Sequence, residues 1–273
     1  MLKLNKINTL HLGGGANLSK TKKLIAFTLA EVLITIGILG VVMVMTIPTI
    51  IRNHQIKVTI AKLKKIDTTL QNTFNLMKYQ EFGNEDVSYW HINTPVEFVN
   101  LFAKHLNHST ICEKNSKKCF HNKQLKTLNG TTNSETSNIA YHPGIILNDG
   151  TLIQVAFFHK GNNQAHIDLT GDYGQIFVDV NGKSLPNTLG KDIFSFMIKK
   201  DKIIPRGLHS ECNSTIRNCD KLNRASYCSA FSTDTGAAAG HNGLGCTAWV
   251  IYKENMNYLD CDNLDWNGKA TCK

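Results

Sequence analysis

The chain has 273 residues and is 42% hydrophobic, enough length and apolar content for one large domain or two small ones. Its formal net charge of +9 does not point to a nucleic-acid partner: Lys3, Lys6, Lys20, Lys22 and Lys23 precede Phe27 with no acid among them, and setting those five lysines aside leaves about +4, ordinary for this size. No Gly-x-Ser-x-Gly, His-Glu-x-x-His or Gly-x-x-x-x-Gly-Lys-Ser/Thr pattern occurs, so neither a hydrolase site nor a phosphate loop is expected.

Between Lys22–Lys23 and Arg52 lies an apolar stretch in which Glu31 is the only formal charge. The stretch, Phe27 to Ile51, is about 25 residues, long enough to span a bilayer as a helix. The lysines before it hold the N-terminus in the cytoplasm and direct the rest outward. No Ala-x-Ala site follows the run, which argues against an ordinary secretory signal peptide. A lone carboxylate near the start of a spanning segment calls for a partner. Cleavage between Ala26 and Phe27 would supply one, because the new α-amine is positively charged at neutral pH and a neighbouring copy could offer it to Glu31.

Lys22-Lys-Leu-Ile-Ala26 followed by Phe27-Thr-Leu-Ala-Glu-Val-Leu-Ile-Thr-Ile-Gly-Ile-Leu-Gly-Val-Val resembles the N-terminus of type IV prepilins and type II secretion pseudopilins. The resemblance implies a prepilin peptidase that removes the leader, residues 1–26, and methylates Phe27. It further implies that Glu31 serves assembly with other pilin or pseudopilin subunits on an inner-membrane platform. Localisation would be the bacterial inner membrane, single-pass, with residues 27–51 in lipid and the later domain extracytoplasmic. Two features depart from the family pattern: Ala26 stands where Gly is usual, and the leader is long, with Gly13-Gly-Gly15.

Apolar residues continue past the membrane run at Ile56, Ile60, Leu63, Ile66, Leu70, Phe74 and Met77, spacings of three and four that extend the helix to about Tyr79. Residues 52–79 are therefore expected to be its amphipathic half, packed on a domain formed by residues 80–273. Pro48 is expected to kink or loosen this helix, and Gly37 and Gly40 to permit close helix approach. Pro95 to Leu106 suits a short amphipathic helix, and Asn107 to Asn138 reads as loop. Gly144 to Leu147 and Thr151 to Phe158 flank Asn148-Asp-Gly150 as a hairpin. Gln175 to Val180 and Ile193 to Ile198 read as a strand pair, and Cys246 to Tyr252 as a last strand. The expected fold is α+β and pilin-like: a long N-terminal helix, transmembrane then amphipathic, on an antiparallel sheet with disulfide-rich loops. Leu147-Asn-Asp-Gly150, Val178-Asp-Val-Asn-Gly182, Pro186-Asn187, Gly190-Lys-Asp192 and Cys246-Thr-Ala-Trp249 resemble elements of pseudopilin-like proteins.

All eight cysteines, Cys112, Cys119, Cys212, Cys219, Cys228, Cys246, Cys261 and Cys272, lie beyond the apolar run, and an even count outside the cytoplasm reads as disulfides. Neighbour pairing joins Cys112 to Cys119, Cys212 to Cys219, Cys228 to Cys246 and Cys261 to Cys272, one of about 105 connectivities. No zinc spacing is present. Between the paired strands, Asp179, Asn181 and Asp192 place hard oxygen donors around a glycine, which suits either Ca²⁺ or an Asx-rich turn. Some pseudopilins do bind calcium in such a loop, although Lys183 breaks the EF-hand pattern. The function expected is a structural subunit of a pseudopilus or type IV pilus. The alternative is a minor pilin or adhesin whose ligand binds in the cysteine-rich region, residues 205–273.

Overall fold

The computed structural model describes residues 27–114, 119, 125–132, 142–158, 173–208, 228–233 and 241–272. The chain divides into two compact units, Met1–Ile50 and Ile51–Lys273. Helix α1, Leu29–Phe82, runs through the division, extending three residues beyond the expected end at Tyr79. In the first unit every described side chain is exposed. In the second, Leu63, Ile66, Leu70, Phe74 and Met77 are buried, with Ile56 and Ile60 partly so, as the helical spacing predicts. Pro48 lies within α1 and the helix continues past it.

A short 3₁₀ turn, Val87–Tyr89, follows α1, and then helix α2, Pro95–Lys104. The start of α2 is written locally. Thr94 Oγ1 accepts from the Glu97 amide at 3.2 Å, the Glu97 carboxylate takes the Asn93 amide at 2.8 Å, and Pro95 sits where no amide donor is needed.

Among the described residues the strands form one antiparallel sheet in chain order: β1 His108–Cys112, β2 Gly144–Leu147, β3 Leu152–Phe158, β4 Gly174–Asp179, β5 Ile193–Ile198 and β6 Ile203–Pro205. The β2–β3 hairpin turns at Asn148-Asp149-Gly150, where Gly150 adopts φ +84° and Thr151 donates to Asp149 Oδ1 at 3.1 Å. Strands β4 and β5 are buried along their whole length. Ile176, Val178, Phe194, Phe196 and Ile198 join the core cluster that holds the α1 side chains, while Phe177 and Ile193 pack with Leu125, Leu189 and Leu244 in a second cluster.

Two expectations need correction, and one strand was not anticipated. Cys246–Lys253 is not a strand but a helix, α3, whose residues Cys246 to Ile251 are all buried. A short apolar run buried on every side carries neither period, so spacing cannot separate helix from strand. The helix ends at Glu254, in the left-handed region at φ 54°. The loop expected from Asn107 to Asn138 contains β1, and β6 falls in a segment to which no element was assigned.

Three of the four disulfides expected from neighbour pairing, Cys112–Cys119, Cys228–Cys246 and Cys261–Cys272, are formed. Cys212 and Cys219 lie outside the described residues, as does Ala26.

Candidate functional site

One helix among the described residues, α1, is long and apolar enough to cross a membrane. Its first turn is closed by a reciprocal cap. The Thr28 amide donates to Glu31 Oε2 at 2.8 Å, the Thr28 hydroxyl to the same oxygen at 2.9 Å, and the Glu31 amide to Thr28 Oγ1 at 3.2 Å. A threonine and a glutamate three residues apart satisfy two of the amide donors that a helix start otherwise leaves unpaired. Glu31 is thus held at the head of the apolar helix beside Phe27, which is 79% exposed. Around Gly37 and Gly40 nothing lies within 4 Å of where a Cβ would stand.

No family model, curated protein or solved structure matches the chain.

The second candidate site is the loop between β4 and β5, where the structure brings Asp179, Asn181 and Asp192 together. Asp192 takes three donors: the Asn187 amide on Oδ2 at 2.7 Å, the Thr188 amide on Oδ1 at 2.6 Å, and Asn181 Nδ2 on Oδ2 at 3.1 Å. Asp179 Oδ1 accepts from the Asn181 amide at 3.2 Å. Both acids are buried. Burial, with the Asp192 charge adding to it, pushes the Asp179 carboxyl up to about 8; burial also raises that of Asp192.

The loop is anchored from several sides. Lys62 of α1 donates to the Val180 carbonyl at 3.0 Å, and the Tyr258 hydroxyl to the Gly190 carbonyl at 2.7 Å. Gly182, at φ +64°, lies against the β2–β3 turn, so that a Cβ would stand 2.4 Å from the Gly150 carbonyl oxygen. Lys65 pairs with Asp149 of that turn at 3.2 Å.

The loop residues fit a hard cation by their chemistry. Two acids face each other under burial, and the side-chain oxygens Asn181 Oδ1 and Asn187 Oδ1 are buried without a hydrogen-bond partner among the described residues. Calcium takes carboxylate, carboxamide and main-chain oxygens together. No group of three Asp, Glu, His or Cys side chains gathers anywhere among the described residues, so an ion here would lean on amide oxygens.

Sequence reasoning missed Thr28 and Lys62, and took Asn187 only as part of the donor-rich loop without its contact to Asp192. Thr28 was legible in the Thr-x-x-Glu spacing. Nothing in linear spacing marks Asn187, which meets Asp192 only because the loop folds back, or singles out Lys62 among the lysines of α1.

Proposed function

We propose that the chain is a pilin-like structural subunit, made as a membrane precursor, cut between Ala26 and Phe27, methylated on Phe27, and assembled into a pseudopilus or type IV pilus. The observation that carries this reading is the Thr28–Glu31 cap at the head of an exposed apolar helix preceded by a basic leader. Before assembly the cap gives Glu31 an internal partner, which lowers the cost of its charge at the lipid boundary. During assembly the α-amine of a neighbouring subunit replaces or joins Thr28 at the carboxylate, and Gly37 and Gly40 let helices approach closely. The work is mechanical: a cytoplasmic motor and an inner-membrane platform move subunits from the bilayer into the filament. Residues 244–264 of the cysteine-rich region contribute Leu244, Trp249, Tyr258 and Leu264 to the buried interior, which favours a structural role there over a ligand-binding one.

Mass spectrometry of the membrane fraction tests the processing. The expected chain begins at Phe27 and is one methyl group heavier; a chain beginning at Met1 or well beyond Pro48 refutes the proposal. Replacing Glu31 with Gln should leave the processed monomer in the membrane and abolish filaments, whereas a membrane-anchored enzyme would be indifferent to the change.

A further inference from the structure

We infer that Asn267 is a site of spontaneous deamidation on the folded protein, its carboxamide converted by water to aspartate and isoaspartate. An asparagine followed by glycine is open to this chemistry because glycine carries no Cβ to keep its backbone nitrogen away from the preceding side chain. The chain has four such pairs, at Asn129, Asn181, Asn242 and Asn267, and the fold engages the first three. Asn129 donates to the Ser232 carbonyl at 3.0 Å and accepts from the Thr127 hydroxyl at 2.7 Å. Asn242 is fully buried; its Nδ2 donates to the Ser229 carbonyl at 2.7 Å and its Oδ1 accepts from the Ser229 amide at 3.0 Å. Asn181 donates to Asp192 at 3.1 Å and to the Leu185 carbonyl at 3.3 Å, and the Gly182 amide is turned to the Asp179 carbonyl at 3.4 Å. Asn267 is exposed, and among the described residues neither its carboxamide nor the Gly268 amide has a hydrogen-bond partner.

Asn267 stands at the apex of a turn that the Asp265 amide closes on the Lys269 carbonyl at 2.8 Å, with its own amide on Asp265 Oδ1 at 2.7 Å. The Gly268 nitrogen attacks Asn267 Cγ: a C–N bond forms, the bond to Nδ2 breaks, and Nδ2 leaves as ammonia with the proton from Gly268. Water then opens the five-membered ring at the side-chain carbonyl, giving aspartate, or at the main-chain carbonyl, giving isoaspartate, whose backbone is longer by a methylene. The ends of the turn are tied by the Cys261–Cys272 disulfide, by Lys253 Nζ on the Trp266 carbonyl at 2.9 Å and by Asn255 Nδ2 on the Ala270 carbonyl at 3.2 Å. The product therefore adds a negative charge near Asp265 and leaves the change local. This reading stands or falls independently of filament assembly.

The test incubates the full chain in detergent in H₂¹⁸O and follows its peptides by mass spectrometry, with fragmentation that separates isoaspartate from aspartate. Asn267 should take up a single heavy oxygen, faster in alkaline than in mildly acidic buffer because the attacking nitrogen must shed its proton, while Asn129, Asn181 and Asn242 stay amides. In guanidinium chloride, where the fold no longer engages them, all four should convert at comparable rates. A Cβ at Gly268 meets nothing closer than 3.6 Å, so Gly268→Ala should keep the wild-type melting temperature and convert Asn267 several-fold more slowly. Retention of the Asn267 amide in the native wild type, or conversion of the other three as fast as Asn267 without denaturant, overturns the site; a Gly268→Ala variant that reacts as fast as wild type overturns the attack by the Gly268 nitrogen.

Discussion

Replacing Leu70 with Ala tests whether the second half of α1 belongs to the folded domain or only tethers it. Leu70 is fully buried, with Ile66 and Phe74 one turn away on either side, both 1% exposed or less. Truncation removes the transfer energy of the lost carbons and leaves a cavity that these neighbours fill only in part, a cost of about 2–5 kcal/mol for Leu→Ala. For a unit the size of Ile51–Lys273, 1 kcal/mol corresponds to roughly 2–4 °C, so a central cost of about 3 kcal/mol predicts a drop of about 6–12 °C. Leu76, on the same helix and 47% exposed, is the control: Leu76→Ala should cost no more than about 0.5 kcal/mol. Thermal unfolding of the full chain in detergent, followed by the near-ultraviolet circular dichroism of buried Trp90 and Trp249, reads both. Equal shifts in the two variants would mean that the helix is not docked through this face, and the account of its amphipathic half would fail.

Gly182→Ala should destabilise the domain by at least about 1 kcal/mol, because the methyl meets the Gly150 carbonyl and the backbone lies in the left-handed region; a melting temperature within 1 °C of wild type would contradict this contact. Breaking Cys228–Cys246, which closes a sequence separation of 18, with paired serines should cost on the order of 3 kcal/mol, visible as a lower urea midpoint; an unchanged midpoint would contradict it. The folded carboxyl of Asp179 sits near 8 against an ordinary 3.8, so the native state binds more protons than the unfolded one between those values. In EDTA the contribution of this group to stability therefore falls as pH rises from about 4 to about 8. Asp179→Asn should flatten that decline; an unchanged pH profile would assign it to other groups.

Much of the architecture was legible because its elements keep a clear period. The 3–4 spacing from Ile56 to Met77 marks the buried face of α1, and Asn148-Asp149-Gly150 marks the β2–β3 turn between two apolar runs. Strand β5 falls on Ile193–Ile198 as expected. The failures have physical causes. In α3 the burial of Cys246 to Ile251 on all sides erases the polar face that would reveal a helix. In β1, Ser109, Thr110 and Ile111 are exposed, so the strand carries no apolar alternation, and β6 is only three residues long. At the head of α1 the charge of Glu31 was visible, but its dependence on Thr28 is a matter of hydrogen-bond geometry. At the β4–β5 loop the acids stand out in the sequence, whereas Asn187 acquires its place only when Asp192 gathers the amides of Asn187 and Thr188.

The two rims of the sheet have a bearing on crowding. In the filament proposed above, subunits would be held side by side at very high local concentration, the condition under which an open strand recruits its twin from the next molecule. One rim here, β1, loses regular pairing with β2 at the register shift between His108 and Thr110; the other, β6, stops at Pro205, which has no amide hydrogen to offer. Among the described residues neither offers a long, regular ladder for a neighbour to extend. Stacking of domains into a continuous sheet is thereby discouraged, and the choice of contact between molecules passes to helices and side chains.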